Sequence, residues 1–173
     1  INGNQGFTPE SGVVSGIGTE EEPYLIQCWD INASKADGIY VKNTDAYFTV
    51  ENCCIHDGAL YEEDGHSGLH LENVTNGKIE DCIIENNFYG IFLESAHHSM
   101  AKNCIVQKNQ GAGIYMFNGL NNVFEDCNIL GNIGAGVRSI NSFDFTRKYN
   151  RVTNCRIHHN AEGVVFMPDG HFN

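Results

Sequence analysis

Apolar residues along this chain come in short alternating runs, each opened by a glycine: GIYV from Gly38, GLHL from Gly68, GIFL from Gly90, GIYM from Gly113, GVRS from Gly136 and GVVF from Gly163. Alternation has the period of two of a strand with one buried face, and no segment shows the period of an amphipathic helix. A second apolar pair follows each of the first five runs and straddles a cysteine. Val50, Ile79, Ala101, Phe124 and Val152 stand three residues before Cys53, Cys82, Cys104, Cys127 and Cys155, and Ile55, Ile84, Val106, Ile129 and Ile157 stand two after them. Five residues beyond the cysteine comes Gly58, then Asn87, Asn109, Asn132 and Asn160.

The cysteines are 29, 22, 23 and 28 residues apart, and a period in the twenties with one chemical role at each place is the mark of a solenoid. Three short strands per unit, with Gly and Asn as punctuation, predict an all-β, right-handed, single-stranded parallel β-helix of about six coils of roughly 22 residues. Like residues of successive coils then stack at about 4.8 Å. A buried Asn finds its amide partners one coil away, and an unoxidised cysteine fills the adjoining corner as a small hydrophobe. The first coil fits the same register with Trp29 at the cysteine place, Ile26 before it, Ile31 after it and Ser34 at the Asn place, so Trp29 is expected to close a core ladder of Cys53, Cys82, Cys104, Cys127 and Cys155.

The whole chain, 1–173, reads as a single β-helix domain. Residues 1–11 form a lead-in or partial N-terminal cap, coils start near Gly12, Gly38, Gly68, Gly90, Gly113 and Gly136, and an open C-terminal coil runs from Gly163. No capping helix is visible at either end. Solenoids need their terminal strand edges shielded, so the ends are expected to be uncapped and to meet a neighbour.

Composition narrows the partners. The formal net charge is -12, which repels phosphate backbones and anionic headgroups and argues against nucleic acid. No apolar run approaches spanning length, so no membrane insertion is expected. Two sequons, at Asn32 and Asn73, make those residues glycosylation candidates in an exported protein. Of the seven cysteines, Cys28 and Cys54 lie one residue off the ladder and are the candidates for a disulfide to each other or to another subunit, with free thiols at a turn as the alternative.

Functional residues on a solenoid are expected where the coil is interrupted or where outward positions line up. Residues 59–67 (ALYEEDGHS) interrupt one coil and, with Asp57, offer Glu62, Glu63 and Asp64 as calcium ligands, though without a regular ligand spacing. Calcium is the one cofactor this suggests; no other metal centre is expected. A second, aromatic and basic interruption lies between Arg138 and Asn150. Along the first strand of each coil one outward row reads Tyr40, His70, Phe92, Tyr115, Arg138, and these are the ligand-binding candidates, with rings placed to stack on sugar faces. A parallel row brings Glu72 and Glu94 to about 5 Å, near the separation of a retaining glycosidase pair, which makes them the candidate catalytic carboxylates.

The opening GVVSGIGTEEEPYLIQCWDINASKADGIYVKNTDAYFTVENCCI and the repeated form GIFLESAHHSMAKNCIVQKN resemble the NosD-like right-handed parallel β-helix proteins, especially those of archaeal cell surfaces, over nearly the whole chain. Cysteine stands here in place of the first Asn of that family's N-x-x-I-x-x-N text. The resemblance implies the fold, and it spans carbohydrate-binding and sugar-hydrolase modules, a copper-enzyme maturation factor and surface proteins without known activity. The reading favoured from these features is a non-enzymatic structural module of an extracellular or cell-surface assembly, associating through uncapped ends with copies of itself or other surface-layer subunits. The alternative is a polysaccharide-binding or polysaccharide-cleaving module.

Overall fold

The residue before each repeat cysteine is the corner on which every coil turns. Asn52, Asp81, Asn103, Asp126 and Asn154 all have φ between 52° and 56°, the left-handed region that Asn and Asp tolerate better than other residues with a side chain. That is why the repeat is written NC or DC. The computed structural model describes residues 1–58, 65–141 and 150–168, and within them the corners separate strands that fall into six rungs of three. The rungs are β1 (Tyr24–Gln27), β2 (Asp30–Asn32) and β3 (Ile39–Thr44); β4 (Phe48–Glu51), β5 (Cys54–His56) and β6 (Leu69–Val74); β7 (Gly77–Glu80), β8 (Ile83–Glu85) and β9 (Ile91–Glu94). They continue with β10 (Met100–Lys102), β11 (Ile105–Gln107) and β12 (Ile114–Phe117); β13 (Val123–Glu125), β14 (Asn128–Leu130) and β15 (Ala135–Asn141); β16 (Arg151–Thr153), β17 (Arg156–His158) and β18 (Glu162–Pro168).

Strands in the same place of successive rungs pair, giving three six-stranded sheets that begin at β1, β2 and β3. The pairs that join these strands are parallel, so the architecture is an all-β parallel solenoid. Register follows the repeat residue for residue: Val50 pairs with Ile26 and Ile79, and Ile84 with Ile55 and Val106. The inward side chains form one continuous core in which Ile55, Ile84, Val106 and Ile129 are fully buried, each of these worth about 1.5–3 kcal/mol of transfer free energy. The landmark glycines from Gly38 to Gly136 are needed for space and not for an unusual φ, whereas a Cβ on Gly163 would meet nothing within 4 Å. A Cβ on Gly90 would lie 2.4 Å from Val106 Cγ1 and 2.5 Å from the Gly113 carbonyl oxygen.

Cys53, Cys82, Cys104 and Cys127 are 1–2% exposed, and each Sγ lies 3.1–3.3 Å from the carbonyl oxygen two residues back. The row of buried thiols is shorter than the sequence suggests. Cys155 is only partly buried, and Trp29, though level with Cys53 in register, is 46% exposed with its indole N–H donating to the Gly12 carbonyl at 3.2 Å. An indole is too large for the cysteine corner, so Trp29 turns out over the end of the core instead of closing the row from inside.

The Asn column is the polar counterpart. Asn87, Asn109 and Asn132 are at most 2% exposed. Each backbone N–H donates to the side-chain carbonyl one coil on: Gly58 to Asn87, Asn87 to Asn109, Asn109 to Asn132 and Asn132 to Asn160, at 2.9–3.0 Å. Their side-chain NH2 groups donate back to Ile55, Ile84 and Val106 carbonyls. Ser34 does not join; it is exposed. A second column, not anticipated, runs through Ser99, Asn122 and Asn150, with Ser99 N–H and Asn122 N–H donating to the next Asn at 2.9 Å.

The two ends differ. Asn2 bridges to Lys42 at the edge of the third sheet, and Ser15 pairs antiparallel with Leu25 at the edge of the first. Between them Phe7 and Val13 are buried, with Phe7 stacked on Tyr24 at 4.6 Å. Residues 1–15 therefore cover this end. Gly12, expected to open a coil, instead ends a short 3-10 turn over Pro9–Ser11 with φ 91°. At the other end Ile157 is half-buried, while Val164 and Phe166 are 42% and 63% exposed.

Replacing Asn109 by Ala removes the acceptor of a buried N–H and the donor to a buried carbonyl, and is expected to cost about 2–4 kcal/mol. Asn128→Ala, on the outward side of β14, should cost below about 1 kcal/mol. Chemical denaturation of both variants checks the contrast; equal losses would mean that the Asn column does not hold the coils.

Candidate functional site

The outward rows of the third sheet carry the candidate residues, because strand register alone lines them up. Tyr40 pairs with His70, His70 with Phe92, Phe92 with Tyr115 and Tyr115 with Arg138. Their rings stack along the coil axis: Tyr40 on His70 at 4.6 Å and 13°, His70 on Phe92 at 4.5 Å and 21°, Phe92 on Tyr115 at 5.2 Å and 15°. Tyr89, from the bend before Gly90, packs against Phe92 and Tyr115 at 5.5 and 4.8 Å. Face-to-face stacking leaves ring edges pointing outward. The ring faces expected to receive a sugar are therefore taken up by neighbouring rings, since the 4.8 Å coil repeat is also about the distance at which aromatic rings stack.

Polar groups gather beside the first three rings. Glu72 lies between Lys42 and Glu94 in register, and the ligating atoms of His70, Glu72 and Glu94 all come within 4.8 Å of one another. Tyr40 donates its phenol to Glu72 Oε2, and Lys42 Nζ sits 5.0 Å from the Tyr40 ring centroid. Asp37, a residue not singled out from the sequence, completes the group. Its Oδ2 lies 3.0 Å from His70 Nδ1, and its Oδ1 accepts the Ser67 N–H at 2.7 Å. His70 Nε2 is buried, makes no hydrogen bond, and lies 3.4 Å from Glu94 Oε2. The signal for Asp37 was present: it precedes the landmark glycine Gly38, where the next four coils carry Ser67, Tyr89, Ala112 and Ala135 and only the last has another carboxylate, Glu162.

Local electrostatics favour one protonation pattern. Burial works to raise the Asp37 carboxyl, but the His70 hydrogen bond, the Ser67 N–H and the imidazole charge outweigh it and hold the group below the usual range. Asp37 is thus an acceptor, and Nδ1 of His70 carries the proton between them. Burial, and then the hydrogen bond to Glu72, push the Tyr40 phenol up to about 12, so it stays a neutral donor. Glu72 and Glu94 approach as the coil spacing requires, yet one carboxylate already holds a phenol and the other faces the imidazole.

The remaining candidates do not join this group. Arg138 lies at the far end of the row and pairs with Glu162 at 2.9 Å. Asp57 Oδ2 is engaged by His56 Nδ1 at 2.9 Å and by the Asn32 side-chain N–H at 3.3 Å; Glu62, Glu63 and Asp64 lie outside the described residues. Asn32 and Asn73 are exposed, with Asn73 donating to the Asn43 side chain at 3.1 Å. All seven cysteines are free, Cys28 and Cys54 among them. Cys28 occupies the left-handed corner that Asn52 fills one coil later, with φ 60°, whereas Cys54 stands in β5 opposite Asp30. Burial, with Asp30 and Glu85 nearby, pushes the Cys54 thiol up, which suits an inert thiol more than a reactive one.

A raised phenol gives a test of the group. The folded state holds the Tyr40 proton more tightly than the unfolded chain does, so stability is expected to fall as pH rises from about 10 to 12. Absorbance titration at alkaline pH, with circular dichroism on the same samples, should show one of the seven tyrosines ionising late. Tyr40→Phe should remove that late step; an unchanged curve would mean that the phenol is not held by Glu72.

No helix among the described residues is long and apolar enough to cross a membrane. No curated protein and no solved structure matches the chain. A family model described as the right handed beta helix region does match, over residues 37–173. With six parallel rungs and this match over most of its length, the chain belongs to the right-handed β-helix family.

Proposed function

We propose that this chain is an exported polysaccharide-binding β-helix whose working surface is the outer face of the third sheet around β3, β6 and β9. The observation that carries this reading is the convergence of Asp37, His70, Glu72, Glu94 and the Tyr40 phenol on three adjacent, rigid strands. Carboxylates, an imidazole and a phenol at coil spacing form a row of acceptors and donors suited to sugar hydroxyls. Because the ring faces are occupied, recognition rests on hydrogen bonds and ring edges. Binding is favoured over cleavage, since Glu72 is already bonded to Tyr40. The NosD-like resemblance, whose members include carbohydrate-binding modules, is consistent with this reading, as is the acidic composition of a cell-surface protein.

Screening the full chain against a polysaccharide array, in the presence of a chelator, tests the proposal. Glu94→Gln and Asp37→Asn should each weaken binding about tenfold or more, in line with the cost of an unmet charged hydrogen bond. Absence of binding to every polysaccharide would sink it.

A second reading, a structural module that associates with copies of itself, is favoured by the exposed side chains of the last rung, chiefly Val164, Phe166 and Met167. At the other end residues 1–15 already lie on the edges of the first and third sheets. Sedimentation over a concentration series should show self-association that Phe166→Glu abolishes; a monomer at all concentrations would exclude it.

A further inference from the structure

The geometry points to a divalent transition-metal site formed by His70 Nε2, Glu72 and Glu94, with Asp37 orienting the imidazole. Asp37 accepts from Nδ1 at 3.0 Å, which fixes the ring and leaves Nε2 as the nitrogen a metal would take in place of a proton. That nitrogen is buried and without a hydrogen bond, and its nearest charged neighbour is another acceptor, Glu94 Oε2 at 3.4 Å. One imidazole nitrogen and two carboxylates thus converge on one point. A divalent cation there takes the place of the Nε2 proton, offsets both carboxylates and satisfies the orphaned nitrogen.

The donor set selects the class of ion. One imidazole with two carboxylates suits zinc and its first-row neighbours, whereas calcium takes oxygen ligands alone. All three ligating atoms lie within 4.8 Å of one another, and zinc's bonds of about 2.0–2.2 Å need ligand separations of about 3.4 Å in a tetrahedron. Glu94, with a side chain 40% exposed, has the freedom to close that gap. The imidazole is already fixed: Tyr40 and Phe92 clamp its two faces at 4.6 and 4.5 Å, and a carboxylate on the far nitrogen is the usual support of a metal-binding histidine. Tyr40 occupies Glu72 Oε2 and leaves the second oxygen for the ion.

The site shares a face with the proposed sugar surface but does not depend on it: metal titration is read without polysaccharide, and the polysaccharide screen is run with chelator. The test uses the chelator-treated full chain with Cys28→Ser and Cys54→Ser, so that the accessible thiols do not contribute. Calorimetric titration with Zn2+ should give one equivalent lost on Glu94→Gln or His70→Gln, and Co2+ should give visible absorption bands that vanish in the same variants. Asp37→Asn should weaken Zn2+ about 10- to 100-fold, and Ca2+ in tenfold excess should not displace it. If His70→Gln fails to fold, Glu94→Gln, which alters a half-exposed carboxylate, decides. No Zn2+ binding, affinity changed less than threefold by Glu94→Gln, or an NMR signature of a doubly protonated His70 in excess Zn2+ would overturn the proposal.

Discussion

Everything in this molecule depends on parallel strands stacking in register at a fixed repeat. Such stacking buries the corner that follows the second strand of the inner coils, at Asn87, Asn109 and Asn132, where backbone N–H and C=O groups have no water. The Asn column resolves this by making each side-chain amide tie its coil to the preceding one twice, accepting an N–H there and donating to a carbonyl there. Solenoid stability is a sum of contacts between neighbours, so an amide that makes both bonds across one coil step does more for cohesion than either hydrogen bond alone.

The same register builds the outer face. Residues of like place are forced to within one coil of each other, and side chains that could not meet from sequence distance alone become stacked rows. Register therefore both creates and limits the chemistry: it brings His70, Glu72 and Glu94 together, and it turns Tyr40, His70, Phe92 and Tyr115 face to face so that a ligand meets only their edges.

The ends show how a solenoid escapes its own geometry. Over the first rung the chain leaves the repeat altogether, pairing Asn2 and Ser15 with two sheet edges and burying Phe7 where a further coil would have supplied an inward side chain. Among the described residues of the last rung the inward row continues through Ile157 without an equivalent plug. One face of the molecule thus carries polar chemistry on its first three rungs and the last rung carries apolar surface.

The spacing of cysteine, glycine and Asn was enough to establish the parallel solenoid, its six rungs, the inward residues Val50, Ile79, Ile55 and Ile84, and the pairing of Tyr40 with His70 and of Glu72 with Glu94. These are properties of a period, and a period is written in one dimension. What only the tertiary structure decided were the matters set by side-chain size, direction and breaks in the repeat. Trp29 keeps the register of a cysteine but is too large for its corner; Cys28 takes a corner and Cys54 a strand; residues 1–15 fold over the edges of the first and third sheets. Asp37 reaches His70 from the preceding coil, and that contact is invisible along the chain because it depends on where two carboxylate oxygens point.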